Sequence, residues 1–277
     1  MLADLRTRIH ALERGSSTFP PSLEPSQSPR RQSGWTLGVP DFDHRLAGGF
    51  DAAALHELKP EHRTGAVSGA ISGNWAAALG FALRLAVRRL RGLAPHPDCA
   101  PRILWCWPSV LARELGVPYG HGLSILGLDP SACLFAETAR ASDALWAMEE
   151  GLRSGSMALV IGVLGEAELT PSRRLSLAAA ERRTPCLIVT DPRLPAAGST
   201  ATRWRIGARA SAPHPFDAAA PGAARYALTL ERCRHGPLVS EPLSLLVEWS
   251  DETHRFRVAP AMADRAHASR RAGRGAA

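Results

Sequence analysis

The chain has 277 residues, of which 45% are hydrophobic and 21% are charged, with a formal net charge of +7 and an isoelectric point near 9.9. This length is enough for one large domain with short appendages, and the composition is that of a soluble α/β protein. No run of about 18 apolar residues occurs, so a membrane-spanning helix is not expected. The positive charge permits contact with nucleic acid without demonstrating it.

Cysteine and histidine usage gives no sign of a disulfide framework or a metal site. The number of cysteines is odd and their spacing is irregular, which favours reduced thiols in the cytoplasm. The histidines at 56, 62, 121 and 235 have no metal-ligand spacing. We therefore expect a cytoplasmic protein without a metal. The five cysteines are Cys99, Cys106, Cys133, Cys186 and Cys233.

The first 33 residues divide into an amphipathic helix and a linker. Apolar residues recur at helical spacing through residues 1–14, and charged residues separate them. Residues 15–33 are rich in proline and serine, which predicts a flexible tether. The apolar stripe of the helix needs a covering surface, which can be the core of the same chain, a neighbouring subunit or a partner. The stripe consists of Leu2, Leu5, Ile9 and Leu12.

The remaining sequence is organised around residues 35–90. A short apolar strand at 54–58 precedes a loop of small residues and a long helix at 74–90, which is the layout of a phosphate-binding loop. The loop contains no Gly-Lys-Ser/Thr. Lys59 is the single lysine of the chain and stands at the strand end, before the loop. The degenerate phosphate-loop region consists of Lys59, Arg63, Thr64, Gly65, Ser68 and Gly69.

From there to residue 190, apolar strands alternate with amphipathic helices, which predicts a doubly wound α/β core with a mostly parallel sheet. Thr170 is predicted to cap a helix whose first position is Pro171. Four later segments at 203–206, 226–230, 243–249 and 254–258 alternate with period two and predict antiparallel strands at the sheet edge. We assign residues 34–258 to one domain and residues 259–277, with Arg270 and Arg271, to a disordered basic tail.

Several stretches resemble known families. The Leu-Gly-x-x-x-x-Asp pattern from Leu37 to Asp43 and the following Gly48-Gly49 turn resemble the RecA/RadA recombinase core. More specific stretches are residues 104–107, 144–150, 152–155, 169–179, 202–206 and 246–249. On these stretches the chain over residues 35–258 resembles the ImuA family, the RecA-like component of a bacterial damage-inducible mutagenesis cassette. This resemblance implies a RecA-like fold.

The resemblance also implies where catalytic groups would stand, and three of them are missing. No lysine follows the first strand in the phosphate loop. The strand that ends at Pro108 lacks the water-orienting carboxylate, and Gly162 stands where the Walker B aspartate would bind magnesium. We therefore expect a protein that is not an enzyme, with no nucleotide or metal cofactor.

On this resemblance the protein is expected to be a non-catalytic accessory subunit of SOS-induced, error-prone translesion DNA synthesis. The implied partners are a catalytically inactive Y-family polymerase-like protein of the ImuB type and an error-prone replicative-type polymerase. Self-association stays open. One alternative is a divergent RecA-like DNA-dependent ATPase in which Lys59 or Arg63 replaces the phosphate-loop lysine. Another is a SulA-type inhibitor of cell division.

A second candidate surface lies after the strand at 186–190. Loop 191–201 carries Arg193, and Arg203, Trp204 and Arg205 follow. Arginine interleaved with an aromatic residue is typical of single-stranded DNA binding, where charge meets phosphate and the ring stacks on a base. The alternative is that Trp204 and Ile206 face the core and the arginines face solvent. The apolar stripe of residues 1–14, and Arg270 with Arg271, are further candidates for DNA or partner contact.

Overall fold

The computed structural model describes residues 35–62, 74–93, 100–214, 216–236 and 242–259. Within these residues, nine strands form one sheet and two short strands form a separate hairpin. The sheet strands are β1 (Leu55–Pro60), β2 (Arg102–Pro108), β3 (Cys133–Thr138), β4 (Met157–Val163), β5 (Cys186–Val189), β6 (Thr202–Arg209), β9 (Arg225–Cys233), β10 (Leu243–Ser250) and β11 (Arg255–Val258). The hairpin consists of β7 (Pro213–His214) and β8 (Asp217–Pro221).

The strand order across the sheet is β3-β2-β4-β5-β1-β6-β9-β10-β11. Neighbours from β3 to β6 are parallel, whereas β6, β9, β10 and β11 pair antiparallel in that order. The predicted α/β class, with a mostly parallel sheet and antiparallel strands at one edge, is confirmed.

The direction of β6 corrects one prediction. This strand was expected to belong to the antiparallel set, but it pairs parallel with β1, where Leu58 lies opposite Trp204, and antiparallel only with β9. Alternation of apolar and polar residues reports that one face of a strand is buried and the other is not. It carries no information about the direction of the neighbouring strand, so β6 could join both halves of the sheet.

Helices lie on both faces of the sheet. Those in the described residues are α1 (Pro40–Arg45), α2 (Asn74–Arg91), α3 (Ser109–Leu115), α4 (Gly120–Ile125), α5 (Ala141–Ser154) and α6 (Leu169–Arg182), with a 3-10 turn at Pro130–Ala132. On one face α2 packs over β6, β1, β5 and β4, and it buries an apolar stripe that includes Phe81 and Leu85. On the other face α5 packs over β2, β3 and β4, and α6 packs over β1 and β5.

The predicted start of α6 is wrong by two residues. The helix begins at Leu169 after Glu168, and no side chain caps it. Pro171 therefore lies within the first turn, where its missing N–H costs no helical hydrogen bond. Because several positions in the first turn tolerate proline, a Thr-Pro pair marks the region of a helix start without fixing the residue.

The Leu-Gly-x-x-x-x-Asp pattern has a local structural role. The Asp43 carboxylate accepts hydrogen bonds from the backbone N–H groups of Leu37 (2.8 Å) and Gly38 (2.9 Å). Gly38 has a φ of +84°, a conformation that glycine adopts without steric cost. Burial raises the pKa of Asp43, and these two hydrogen bonds oppose the rise. The pattern thus holds the chain in the turn that leads into α1.

The described cysteines Cys106, Cys133, Cys186 and Cys233 are free thiols, and burial raises the pKa of Cys133 to about 11. Across the described ranges, no helix is long and apolar enough to cross a lipid bilayer. The predicted helix of residues 1–14, the linker at 15–33 and the tail beyond Ala259, with Arg270 and Arg271, lie outside the described residues.

Candidate functional site at the carboxyl edge of the sheet

The candidate site lies at the carboxyl ends of β1, β5, β4 and β2. Open parallel sheets bind ligands at this edge, where successive connections leave on opposite faces. Here α2 follows β1 on one face and α6 follows β4 on the other. Of the loop between β1 and α2, the structure describes only residues 61 and 62. The predicted residues Arg63, Thr64, Gly65, Ser68 and Gly69 therefore lie outside it.

Lys59, the one predicted residue of the phosphate-loop region that the structure describes, is buried and points away from α2. Leu58 belongs to the core cluster beneath α2, and successive side chains of a strand point to opposite faces. The Lys59 Nζ donates to the carbonyl oxygens of Leu194 (2.7 Å), Asp191 (3.0 Å) and Pro195 (3.5 Å). Burial lowers the pKa of Lys59, and the nearby Glu57 carboxylate partly offsets this lowering. The ammonium group is thus committed to the loop after β5.

Glu57, two residues earlier on the same face of β1, holds the same loop. Its carboxylate is fully buried and accepts from the Thr190 hydroxyl (2.9 Å) and the backbone N–H of Ala197 (3.0 Å). Arg203 completes the cluster, because its Nε donates to Glu57 at 2.8 Å and its other end donates to the Ala197 carbonyl at 2.9 Å. Glu57 and Lys59, which point to the same face of β1, therefore both hold loop 191–201 by hydrogen bonds.

On the other side of β1, Asn74 anchors the start of α2. Its amide nitrogen donates to the Glu61 carbonyl at 2.7 Å, and its amide oxygen accepts from the backbone N–H of Ala208 at 2.9 Å. The side chain is buried. Asn74 thus connects the start of α2 to the end of β1 and to β6.

The two positions at which the resemblance implies acidic groups have apolar surroundings. A Cβ on Gly162 would lie 2.3 Å from the Met148 sulfur, so this position points into the core beneath α5. The end of β2 carries Trp107, which is buried and packs its ring against Phe135, with 5.8 Å between centroids. Glu166, in the loop after β4, is exposed.

A second buried polar chain runs through β1 and β6. His56 Nε2 lies 3.0 Å from the Asp51 carbonyl oxygen, and Nδ1 lies 2.8 Å from the Thr202 hydroxyl. A carbonyl can only accept, so Nε2 carries the proton and Nδ1 accepts from Thr202. The same hydroxyl oxygen accepts from Trp204 Nε1 at 2.9 Å. Burial lowers the pKa of His56 to about 4, so the ring is neutral near pH 7.

Trp204 has no face available for a nucleic-acid base. It is fully buried, it stacks on Phe50 with 5.6 Å between centroids, and Phe42 contacts its edge. Ile206 is buried on the same face. This is the arrangement of the alternative interpretation, in which the aromatic residue belongs to the core.

The three predicted arginines all have acidic partners. Arg193 makes two contacts to Asp191, at 2.6 and 3.0 Å, and Arg205 Nε lies 2.5 Å from Glu231. Arg203 is paired with the buried Glu57. Only Arg193 is largely exposed, so the structure does not assemble these arginines into one basic patch.

Sequence reasoning overlooked the residues that organise this edge. Glu57, Thr190 and Asn74 were placed in a strand or a helix without a role. One signal could have identified Glu57, because an acidic residue among the apolar residues of a central strand needs a buried partner. The partner Arg203 is 146 positions away in sequence, and only the parallel pairing of β1 with β6 brings the two together.

The sequence of the chain is similar to those of two named bacterial proteins. No protein-family model matches the chain. Two proteins called Protein ImuA, from Caulobacter vibrioides strains NA1000/CB15N and ATCC 19089/CB 15, are each 28% identical to it over 254 residues. Each alignment covers 86% of this chain and 94% of the Caulobacter protein. The similarity therefore extends over most of both sequences.

Proposed function

From this similarity to ImuA we propose that the chain is a RecA-like accessory protein of SOS-induced, error-prone translesion DNA synthesis that acts through protein contacts and hydrolyses no nucleotide. Its partners on this proposal are an ImuB-type, inactive polymerase-like protein and an error-prone replicative-type polymerase. The fold supports the RecA-like assignment in its order of elements, since β1, the degenerate loop and α2 follow one another as in a phosphate-loop protein.

The single observation that carries the absence of nucleotide chemistry is the position of Lys59. Phosphoryl transfer depends on positioned cations that stabilise the charge of the terminal phosphates. The only lysine of the chain points away from α2 and donates to carbonyl groups of the loop after β5. Turning it toward a phosphate would break these hydrogen bonds and leave those partly buried carbonyls without this donor, which is unfavourable.

The arginine contacts support a protein rather than a DNA ligand. The described arginines of loop 191–201 and β6 are paired with Asp191, Glu57, Glu231 and Glu61. A surface that binds phosphate groups by charge needs cations whose charge is not already compensated. A protein partner does not need such an excess, because association depends largely on apolar and aromatic contacts.

Calorimetry with ATP and magnesium, with and without single-stranded DNA, tests the catalytic half of this proposal. We expect no saturable binding at micromolar ATP and no phosphate release above the buffer rate. Lys59→Met and Arg63→Ala are the informative variants, because the two residues are the candidate replacements for the phosphate-loop lysine. Magnesium-dependent turnover that either substitution abolishes would establish the ATPase instead.

Co-purification tests the accessory half. The full chain is expressed with the ImuB-type polymerase-like protein, and we expect the two to elute together at moderate salt. The double variant Arg205→Glu with Glu231→Arg is the matched control, because it keeps the ion pair and the net charge while exchanging the positions of the two charges. Separate elution of the wild-type chain and the polymerase-like protein would contradict the proposed role, whatever the calorimetry shows.

A further inference from the structure

The α3–α4 segment, residues 109–125, covers the sheet and also exposes apolar side chains. It lies over β2 and β3 on the same face as α2, where Leu111 and Leu115 are partly buried and Leu123 is fully packed against the core. No residue of α3 itself is buried. The two short helices therefore attach to the core through a few apolar contacts and leave most of their own surface outside.

The outer side of this segment carries large apolar side chains among polar ones such as Arg113, Glu114 and His121. Tyr119 is 74% exposed and Ile125 is 65% exposed, and Val110 and Val117 are each more than half exposed. Phe135, on the neighbouring edge strand β3, is also exposed. Single exposed apolar residues are ordinary, but several in one segment are typical of a surface that another element covers.

We propose that residues 1–14 of the same chain lie on the α3–α4 segment and cover these side chains. The occupant has the matching chemistry, since Leu2, Leu5, Ile9 and Leu12 recur at the three- and four-residue spacing that puts them on one helix face. An amphipathic helix that lays its apolar face on an apolar surface is a recurrent mode of recognition.

The start of the described chain puts this occupant within reach. Thr36 accepts a hydrogen bond from Arg88 of α2 at 2.7 Å, and Arg88 also contacts the His254 carbonyl at 3.4 Å. The His254 ring in turn lies against Gly127, directly after α4. The chain therefore enters the fold beside the same turn that contacts the end of the α3–α4 segment.

Linker length favours the same chain over a second copy. Residues 15–34 have the composition of a flexible linker, for which 20 residues correspond to a root-mean-square span of about 25 Å. A tether of this kind gives an effective local concentration on the order of millimolar. Docking within one chain therefore prevails over docking between chains at ordinary protein concentrations.

Nitration of tyrosine by tetranitromethane tests the proposal, because the chain has only two tyrosines. Tyr119 is the exposed reporter, and Tyr226, which is 4% exposed, is the internal reference. In the full wild-type chain we expect Tyr119 to react several-fold more slowly than in the Leu5→Asp/Ile9→Asp variant. Thr7→Asp/Ala11→Asp is the matched control, because it adds the same two negative charges on the opposite face of the predicted helix and should leave the protection intact.

The receiving surface has its own matched pair. Ile125→Asp should release the protection of Tyr119, whereas Leu177→Asp should not, because Leu177 has nearly the same exposure, 63%, but lies on α6 across the sheet. Equal nitration of Tyr119 in all variants would overturn the proposal. Protection that disappears on dilution to nanomolar concentration would also overturn it and would identify a second copy as the occupant.

Discussion

The carboxyl edge of β1 and the α3–α4 segment depart from the usual distribution of residues in opposite ways. At the edge, Glu57 and Lys59 are charged residues that are buried, and hydrogen bonds from or to other parts of the chain pair them. In the α3–α4 segment, Tyr119 and Ile125 are large side chains with apolar surface that are exposed. The buried charges at the edge have hydrogen-bond partners within the chain, whereas the exposed apolar side chains of the segment are not covered by any of the described residues.

The two regions differ in what an incoming group would have to displace. A phosphate at the edge would have to compete with Asp191, Leu194 and Pro195 for Lys59, whereas an apolar face laid on the α3–α4 segment, as we propose for residues 1–14, displaces only water. The described part of the edge at which α/β enzymes bind their substrates is thus held by internal hydrogen bonds. The exposed apolar side chains lie on a different part of the same sheet.

The largest expected effect comes from removing the charge of Glu57. Glu57→Gln would turn an amide N–H₂ toward Arg203 and leave a guanidinium half-buried without its anion. We expect the free energy of unfolding to fall by about 3–5 kcal/mol, as when one partner of a buried ion pair is removed. Urea denaturation measures it.

Glu231→Gln is the matched control for Glu57→Gln, because Glu231 pairs with Arg205 and both side chains are partly exposed, whereas Glu57 is fully buried. Ion pairs that solvent reaches contribute about 1 kcal/mol or less. Equal losses in the two variants would mean that the edge is as solvated as the surface, and the contrast between the two regions would disappear.

The sequence predicts the frame of this protein better than its contacts. Strong apolar runs identified β2, β4 and β5 nearly to the residue, because central parallel strands are buried on both faces. The pairing of Glu57 with Arg203, and of Lys59 with the loop after β5, joins residues more than 130 positions apart. No local pattern encodes which strands become neighbours, so these contacts could not be inferred.

Trp204 shows the same limit on a smaller scale. An Arg-Trp-Arg triplet is compatible with a nucleic-acid surface and with a half-buried strand, because both place alternate side chains on opposite sides. The tertiary structure decides, since Phe42 and Phe50 come from before β1 to enclose the indole ring. Local periodicity was correct, and only the identity of the covered face was missing.

The second prediction concerns how the stability of the chain depends on pH, and it compares a buried histidine with an exposed one. The pKa of His56 is lowered from 6.5 to about 4 in the folded chain, so the unfolded chain binds the proton more readily. The resulting stabilisation, roughly 3 kcal/mol, is fully present above pH 6.5 and is lost as the pH falls from 6.5 to 4. In His56→Asn the unfolding free energy should therefore change less between pH 6.5 and pH 4 than it does in the wild-type chain.

His121 is the control for His56, because it lies in α4 and is exposed. His121→Asn should leave the pH dependence of the wild-type chain unchanged. An equally steep dependence in His56→Asn and His121→Asn would mean that the buried polar chain from Asp51 to Trp204 does not hold a neutral ring. Denaturation in urea at four or five pH values between 4 and 7 separates the two outcomes.

The smallest predicted effect tests the function of Lys59 directly. Lys59→Met leaves the carbonyls of Asp191, Leu194 and Pro195 without their donor, so we expect a loss of about 1–3 kcal/mol in unfolding free energy and faster amide exchange in loop 191–201. Arg193→Ala is the control, because Arg193 is exposed and pairs with Asp191 two residues away, and the substitution should lower the unfolding free energy much less than Lys59→Met does. If Lys59→Met left amide exchange in the loop unchanged, the ammonium group would not be needed to hold the loop. The edge of β1 would then again be a candidate phosphate site. If the loop loosens as expected, the one lysine of the chain acts as a structural clamp between β1 and the loop after β5.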